Sequence, residues 1–327
     1  MGKNMGNNAK SERARESKFV SAVVYLHNDE KNVPAFLDML TKTLDRDFNK
    51  YELIFVNDAS TDAGVARIYD CIESGTLMGD MISIVQMSHF QGLEAAMNAG
   101  RDVAIGDFVF EFDDLYVDYE PETLYEIYRH ALKGFDIVSA RSDARMRFTS
   151  RMFYRIYNFA SRGSGEIGPE TFRVLTRRAI NRVKTIGQYI PYRKAVYMNC
   201  GLNADTIVYR STDAPGAVTQ HYNRTERTSL ALDSFIYFTN ILERVSFIIS
   251  CAFIVITLLV AIDILVEFFS RTRTVEGWLS TMGFMSLGFM GVFILLTIIL
   301  KYLSVLLNLV FKKQRYMIAG VEKIVRD

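Results

Sequence analysis

Two stretches near the C-terminal end, 245–262 and 278–300, run for 18 and 23 residues without a charged side chain. As helices they would reach about 27 and about 34 Å, against a bilayer hydrocarbon core of about 30 Å. A buried core helix would explain one such run. Two of them, with SRTRTVEG between them, predict a transmembrane hairpin over 245–310. Asp263 and Glu267 stand at the exit of the first run. Basic residues flank the outer ends: Arg224, Arg227 and Arg244 before the first span, and Lys312, Lys313, Arg315, Lys323 and Arg326 after the second. The connecting loop has only Arg271 and Arg273. Basic flanks stay on the cytoplasmic side, so both termini and the large domain are expected in the cytoplasm, with the chain in the cytoplasmic membrane.

Just before the first span, Leu232, Phe235, Ile236, Thr239 and Leu242 recur at near-helical spacing within 229–244. This predicts an amphipathic helix lying in the membrane surface. Residues 1–18 are polar and charged with no apolar segment, and are expected to be a disordered tail rather than a signal peptide. Residues 311–327 read as a basic cytoplasmic tail. Cys71, Cys200 and Cys251 have no metal spacing and read as free thiols.

The soluble part, 19–228, alternates short apolar runs with helical stretches. FVSAVVYL, YELIFV, ISIVQM, DFVFEF and FDIVSA have the near-continuous apolar character of parallel strands buried on both faces. VPAFLDMLTKTL, GVARIYDCIE, GLEAAMNAGRDVA and PETLYEIYRHAL read as the helices between them, with Pro34 and Pro121 near helix starts. The fold class is therefore α/β, an open and mostly parallel Rossmann-like sheet with right-handed crossovers. Its ligands bind beyond the carboxyl ends of the strands.

Those ends carry HNDEKN, NDASTD, SHFQGLEAA and DDLYVD, so three of the four have acids close by. Net charge is +1, but it is unevenly spread: between 28 and 136 there are 8 Lys/Arg against 22 Asp/Glu, and between 141 and 194 there are 13 against 3. An acidic half suits cations and a basic half suits anions such as phosphates. Neither a glycine-rich dinucleotide fingerprint nor a Walker lysine motif is present. An acidic rim points instead to a nucleotide held through ribose or base, with a divalent cation on its phosphates. Nothing points to a nucleic acid.

NDASTD, SHFQGLEAAMNAG and GDFVFEFDD, taken in order with the terminal hairpin, resemble glycosyltransferase family 2 enzymes of GT-A fold, in particular the membrane-anchored polyprenyl-phosphate glycosyltransferases. The resemblance covers about 19–325 and includes SRMFYRIYN, FRVLTRRAI, HYNRTERTSL and FKKQRYMI. It implies a UDP- or GDP-linked sugar as donor, polyprenyl phosphate as acceptor, and Mg²⁺ or Mn²⁺ as cofactor. Carried over by motif, Asp29, Asn57, Asp58, Gly92 and Arg227 face the donor, and Arg151 and Arg155 face the acceptor phosphate. Asp113 and Asp114 take the catalytic metal motif, with Asp118 bending in beside them.

Four features depart from the family pattern. The metal motif lacks one aspartate in either register, because Phe112 or Leu115 takes its place. Leu93 stands where the family carries Lys, and Thr171 where it carries Asp. The first strand ends Tyr25-Leu26-His27-Asn28-Asp29 rather than Pro-Val-Tyr-Asn-Glu. A lost base matters little if the acceptor is a phosphate monoester, already anionic at neutral pH with a second pKa near ~6. The expected reaction is direct displacement at the anomeric carbon with inversion, serving cell-envelope or glycan assembly. The rival is an inactive pseudo-glycosyltransferase that scaffolds or binds sugar nucleotide or lipid. His27 and His89 read as structural, Arg173 and Arg177 fall on a strand-to-helix segment where either one could be a surface residue, and a homo-oligomer stays open.

Overall fold

The computed structural model describes residues 14–77, 79–143, 168–186, 192–212, 278–311 and 316–325, with isolated positions within 151–155 and 248–262. It divides into two units. One comprises Met1–Arg151, Gly163–His221 and Gln314–Asp327, and the other Met152–Arg162 and Tyr222–Lys313.

The first unit is built on an eight-stranded sheet in the order β7-β5-β6-β4-β1-β2-β3-β8. β1 (Val20–Leu26), β2 (Tyr51–Asn57), β3 (Met81–Met87), β4 (Phe108–Phe112) and β5 (Ile137–Ser142) are the five strands expected from sequence. The helices α1 (Val33–Asp47), α2 (Gly64–Glu73), α3 (Leu93–Val103) and α4 (Glu122–Ala131) alternate with them. β1 pairs in parallel with both β2 and β4, and β2 with β3. β6 (Glu170–Thr176) enters antiparallel between β4 and β5, and β7 (Ala204–Tyr209) lies parallel to β5 at one edge. Pro34 sits in the first turn of α1, and Pro121 caps α4, where a missing N–H costs nothing.

Strand alternation divides the core. Val20, Ala22, Val24 and Leu26 join Phe110 and Phe112 in one buried cluster with Phe36 and Leu40 of α1 and Leu124, Ile127 and Tyr128 of α4. Val23 and Val56 face the other way, toward α3. That helix lies so close that a Cβ on Gly100 would stand 2.4 Å from Val23 Cγ1 and 2.5 Å from Val56 Cγ2. Two helices, Arg177–Ile186 and Arg193–Asn199, follow β6.

The stretch 311–327, read above as a basic tail, contains a strand. β8 (Ile318–Val325) pairs antiparallel with β3 at the second edge. Its β-branched residues suit an edge strand, and the interspersed Glu322 and Lys323 hid it in the sequence. The segment 222–313 thus leaves the α/β unit and returns to it.

In the second unit, Trp278–Phe311 is one helix of 34 residues. Many of its described apolar side chains, among them Phe289, Val292, Phe293, Leu296, Ile299 and Leu300, are exposed, while Phe284, Leu295, Ile298 and Val305 are half-buried. Within the first expected span, Ile248, Val255, Leu259 and Ile262 are helical and exposed. Judged on the described residues alone, no helix is long and apolar enough to cross a membrane. The expected interface helix at 229–244 lies outside the described residues.

Candidate active site

The carboxyl ends of β1 and β2 are laced together. The Asn28 side-chain oxygen accepts from the Thr61 N–H at 2.8 Å, Asp62 Oδ2 accepts from the Glu30 N–H at 2.8 Å, and Glu30 Oε2 accepts from the Ala63 N–H at 2.9 Å. Asn28 and Ala59 both hold positive φ, 51° and 52°. Left-handed backbone at non-glycine positions is costly and gathers at ligand edges. Asp29 is half-buried here and takes the Asn32 amide at 2.7 Å. Asn57 donates to Gln86 Oε1 at 2.6 Å and accepts from the Ser60 N–H at 3.1 Å.

Asp58 lies under this rim and is fully buried. Its Oδ1 takes the Gln91 N–H at 2.8 Å, and its Oδ2 takes the Gly92 N–H at 2.8 Å and the Tyr25 hydroxyl at 3.1 Å. The donor-binding aspartate expected here therefore shapes the loop after β3. Gly92 has φ +85°, which explains the glycine at the start of α3.

At the end of β4, adjacent aspartates have opposite surroundings. Glu111 and Asp113 project from the same face, being two residues apart in an extended chain. Asp113 Oδ2 accepts from Arg173 Nη2 at 2.7 Å, and its Oδ1 from Arg193 Nη2 at 2.8 Å and Arg173 Nη1 at 3.3 Å. Glu111 Oε2 receives Arg173 at 3.0 Å and Arg193 at 2.8 Å, and Tyr197 donates to Glu111 Oε1 at 2.8 Å. Glu94 of α3 holds Arg193 through both its N–H and its Nε, each at 2.9 Å. Arg101 completes the set, donating to the Tyr197 hydroxyl at 2.7 Å and to Asn98.

Three acids and three arginines are thus buried with balanced charge. Burial pushes the Asp113 carboxyl up, but Arg173, Arg193 and Lys194 outweigh it and hold it well below the usual carboxylate range. Asp113 was expected on the metal, yet both of its oxygens are taken by guanidinium groups. Arg173, one of two arginines open to a surface reading, is fully buried, because it stands opposite Glu111 in the β4–β6 register. Sequence reasoning missed this network. Its signal was Glu111 inside the apolar run FVFEF, since a buried carboxylate requires cationic partners.

Among the described residues, Asp114 has no such partner. It is partly exposed at its surface, and one oxygen accepts from the Tyr116 N–H at 3.1 Å. Burial, then the nearby charges of Asp113, Asp118 and Asp29, push its pKa up to about 7. Asp118 is anchored by the Tyr209 hydroxyl at 2.7 Å and by Ser211 Oγ at 3.2 Å. Thr171 bonds the same Tyr209 hydroxyl at 2.9 Å. Phe112 stacks on Phe172 within the core, and Leu115 and Leu93 are buried.

Among the described residues, no three His, Cys, Asp or Glu side chains stand close enough to hold a metal unaided. The donor set still suits a cation carried mainly by phosphates and water. Mg²⁺ is commonly held by one or two carboxylates, and Asp114 is crowded by negative charge that a cation would relieve. Arg151 and Arg155 are exposed on helical positions, and Arg227 lies outside the described residues.

Comparison with known proteins agrees with this architecture. The chain is 29% identical over 198 residues to an uncharacterized glycosyltransferase of Synechocystis, covering 58% of this chain and 60% of that one. It is 25% identical over 238 residues to the bactoprenol glucosyl transferase of Shigella phage SfV, covering 69% and 74%. It is 32% identical over 140 residues to the undecaprenyl-phosphate 4-deoxy-4-formamido-L-arabinose transferase of Aeromonas hydrophila, covering 41% of each. The chain thus spans only about three fifths of the Synechocystis relative. Among solved structures, the mannosyltransferase PcManGT of Pyrobaculum calidifontis, in complex with GDP-Man and Mn²⁺, aligns over 88% of each chain with TM-score 0.51 at 17% identity, a likeness of fold. The family model for glycosyl transferase family 2 matches residues 21–199, more than half of the chain, and this chain belongs to that family.

Proposed function

We propose that the protein transfers a sugar from a UDP- or GDP-linked donor to a polyprenyl phosphate at the cytoplasmic face of a membrane. One observation carries this reading: a family 2 domain shares its chain with helices whose large apolar side chains face outward. Exposed apolar surface of that extent calls for a non-aqueous neighbour. Because 222–313 leaves and rejoins one α/β unit, any passage through a bilayer must be made an even number of times. That supports a hairpin over 245–310 with both ends on one side, and the basic flanks favour the cytoplasmic one. The polyprenyl carriers in the names of two relatives support the acceptor class.

In this reading the donor lies over the carboxyl ends of β1, β2 and β4. Asp29 and Asn57 line the rim, while Asp58 positions the 88–92 loop beneath it. Asp114, with donor phosphates, would hold Mg²⁺ or Mn²⁺, which would offset the charge of the departing nucleoside diphosphate. An oxygen of the acceptor phosphate forms the new bond at the anomeric carbon. The bond to the diphosphate breaks, and its electron pair leaves with the nucleotide. The acceptor is already an anion, so Thr171 need not supply a base, and the protein's task is alignment. Arg151, Arg155 and Arg227 are assigned to the phosphates of the two substrates.

The test is membranes of the full chain supplied with polyprenyl phosphate and a panel of sugar nucleotides, with Asp114→Asn as control. Lipid-linked sugar that depends on Asp114 is expected, and its absence across the panel rejects the transferase reading. The rival, a non-catalytic binder, is favoured by one observation: Asp113 is tied to two arginines and Phe112 is turned into the core. A binder would keep its cellular role after Asp114→Asn.

A further inference from the structure

The C-terminal strand grips the loop that follows β3. The Met317 carbonyl accepts from the Ser88 N–H at 3.0 Å, from Ser88 Oγ at 3.2 Å and from Gln91 Nε2 at 2.7 Å. In return the Met317 N–H donates to Gln91 Oε1 at 2.8 Å. The Gln91 amide therefore engages both polar groups of one backbone residue, as a neighbouring strand would. Two more bonds fasten the same segment to the helices before and after the loop. The Tyr69 hydroxyl of α2 donates to Glu322 Oε2 at 2.6 Å, and the Tyr316 hydroxyl donates to Asp102 Oδ2, late in α3, at 2.8 Å.

From its other side the loop is held by Asp58 through the N–H groups of Gln91 and Gly92. Between the two grips it presents Phe90, 43% exposed, against His27 with ring centroids 4.5 Å apart. Only residues 312–315 separate this segment from the end of the helix Trp278–Phe311.

We propose that residues 316–325 are a clasp that sets the 88–92 loop, with Gln91 as the positioning residue. Sugar-nucleotide binding then depends on the C-terminal strand being docked, and the apolar helix is tied to the donor edge through four residues of chain. This rests on reading that edge as the donor site. Released from Met317, the loop keeps, among the described residues, the Asp58 grip and the Phe90–His27 ring contact, and it samples more conformations, which weakens binding and leaves the bond-making step alone.

The test is amide hydrogen exchange on the full-length protein in detergent, with sugar-nucleotide kinetics on the same samples. Gln91→Ala should speed exchange across 88–92 by about tenfold, local opening being read directly by exchange rates. Tyr316→Phe and Glu322→Ala should do so by roughly two- to fourfold, each losing one neutral or charged hydrogen bond. Glu322→Gln keeps an acceptor oxygen for Tyr69 and should match the wild type. KM for the donor should rise in the same order with kcat within about twofold, the mark of lost binding shared by ground and transition states. Slow exchange in β1 and β4 shows which variants are folded, and Glu322→Ala carries the test if Gln91→Ala is not. Unchanged exchange across 88–92 in the folded variants overturns the clasp, as does a fall in kcat with KM unmoved. A wild type that binds no sugar nucleotide overturns the donor reading of this edge, and the exchange rates alone then decide the clasp.

Discussion

Asp113 and Asp114 are neighbours in sequence and opposites in circumstance. Asp113 joins a buried, charge-balanced network in which two arginines occupy both of its oxygens. Asp114 has one backbone N–H and three acids nearby. The first carboxylate is held ionised by the protein, whereas the second is ionised at a cost. Residue type is identical, so the difference lies in which face of β4 each extends and in what β6 and the helix Arg193–Asn199 bring to that face. An acid whose charge the protein balances serves the fold. An acid left unbalanced at the ligand edge is the one available to a cation.

Removing a partner from the balanced network should have the largest effect. Arg173→Ala leaves Glu111 and Asp113 under-compensated in the interior and should cost about 3–5 kcal/mol, read by denaturant unfolding of the full chain. Asp113→Asn should also destabilise, since it strips acceptors from two buried arginines. Next comes Asp114→Asn, which should lower turnover by about 10²-fold, the scale for loss of one electrostatic contributor at a reacting centre, with stability retained. A variant as unstable as Arg173→Ala would show that the two acids do not differ as described.

The pH response sharpens the same comparison. The Asp114 pKa is raised to about 7, above the ~3.9 of an unfolded chain. Between those values the folded state keeps a proton that the unfolded state has lost, so stability should fall as pH rises from about 4 to about 7. Allowing for its partial exposure, the loss is about 1–2 kcal/mol. Asp114→Asn should flatten the profile, and Mn²⁺ with a sugar nucleotide should raise Tm more at pH 8 than at pH 5. Asp113 has the opposite sign. Its depressed pKa gives stability that is present above about 4 and lost only in stronger acid. The smallest effect should come from Tyr209→Phe, which removes the hydroxyl shared by Asp118 and Thr171 at a cost of about 1 kcal/mol. Turnover should hardly change, because Thr171 takes no proton in the proposed reaction.

Much of this fold was legible because parallel strands buried on both faces leave unbroken apolar runs. β1 to β5 and the helices between them followed from that pattern, as did the strand-to-helix turn that the structure puts between Thr176 and Arg177. β6 was harder: its antiparallel place between β4 and β5 depends on pairing with strands distant in sequence, such as Phe108 with Thr176, which no local pattern records. β8 was hidden by its charges and by the apolar segment preceding it. At the site, the separation into acidic and basic halves was visible, but its meaning was not. Arg173 and Arg193 of the basic half face inward to Glu111, Asp113 and Glu94, and Arg178 pairs with Asp136, so much of that charge is satisfied within the protein. Spacing along a strand told which residues share a face. It could not tell which cations would be waiting there.

The most direct measurement is titration of the full-length protein with Mn²⁺ in the presence of a UDP- or GDP-sugar, followed by electron paramagnetic resonance, for wild type, Asp113→Asn and Asp114→Asn. Nucleotide-dependent Mn²⁺ binding should vanish in Asp114→Asn and persist in whatever fraction of Asp113→Asn is folded. Binding that survives in Asp114→Asn and disappears from folded Asp113→Asn would contradict the assignment of the two aspartates.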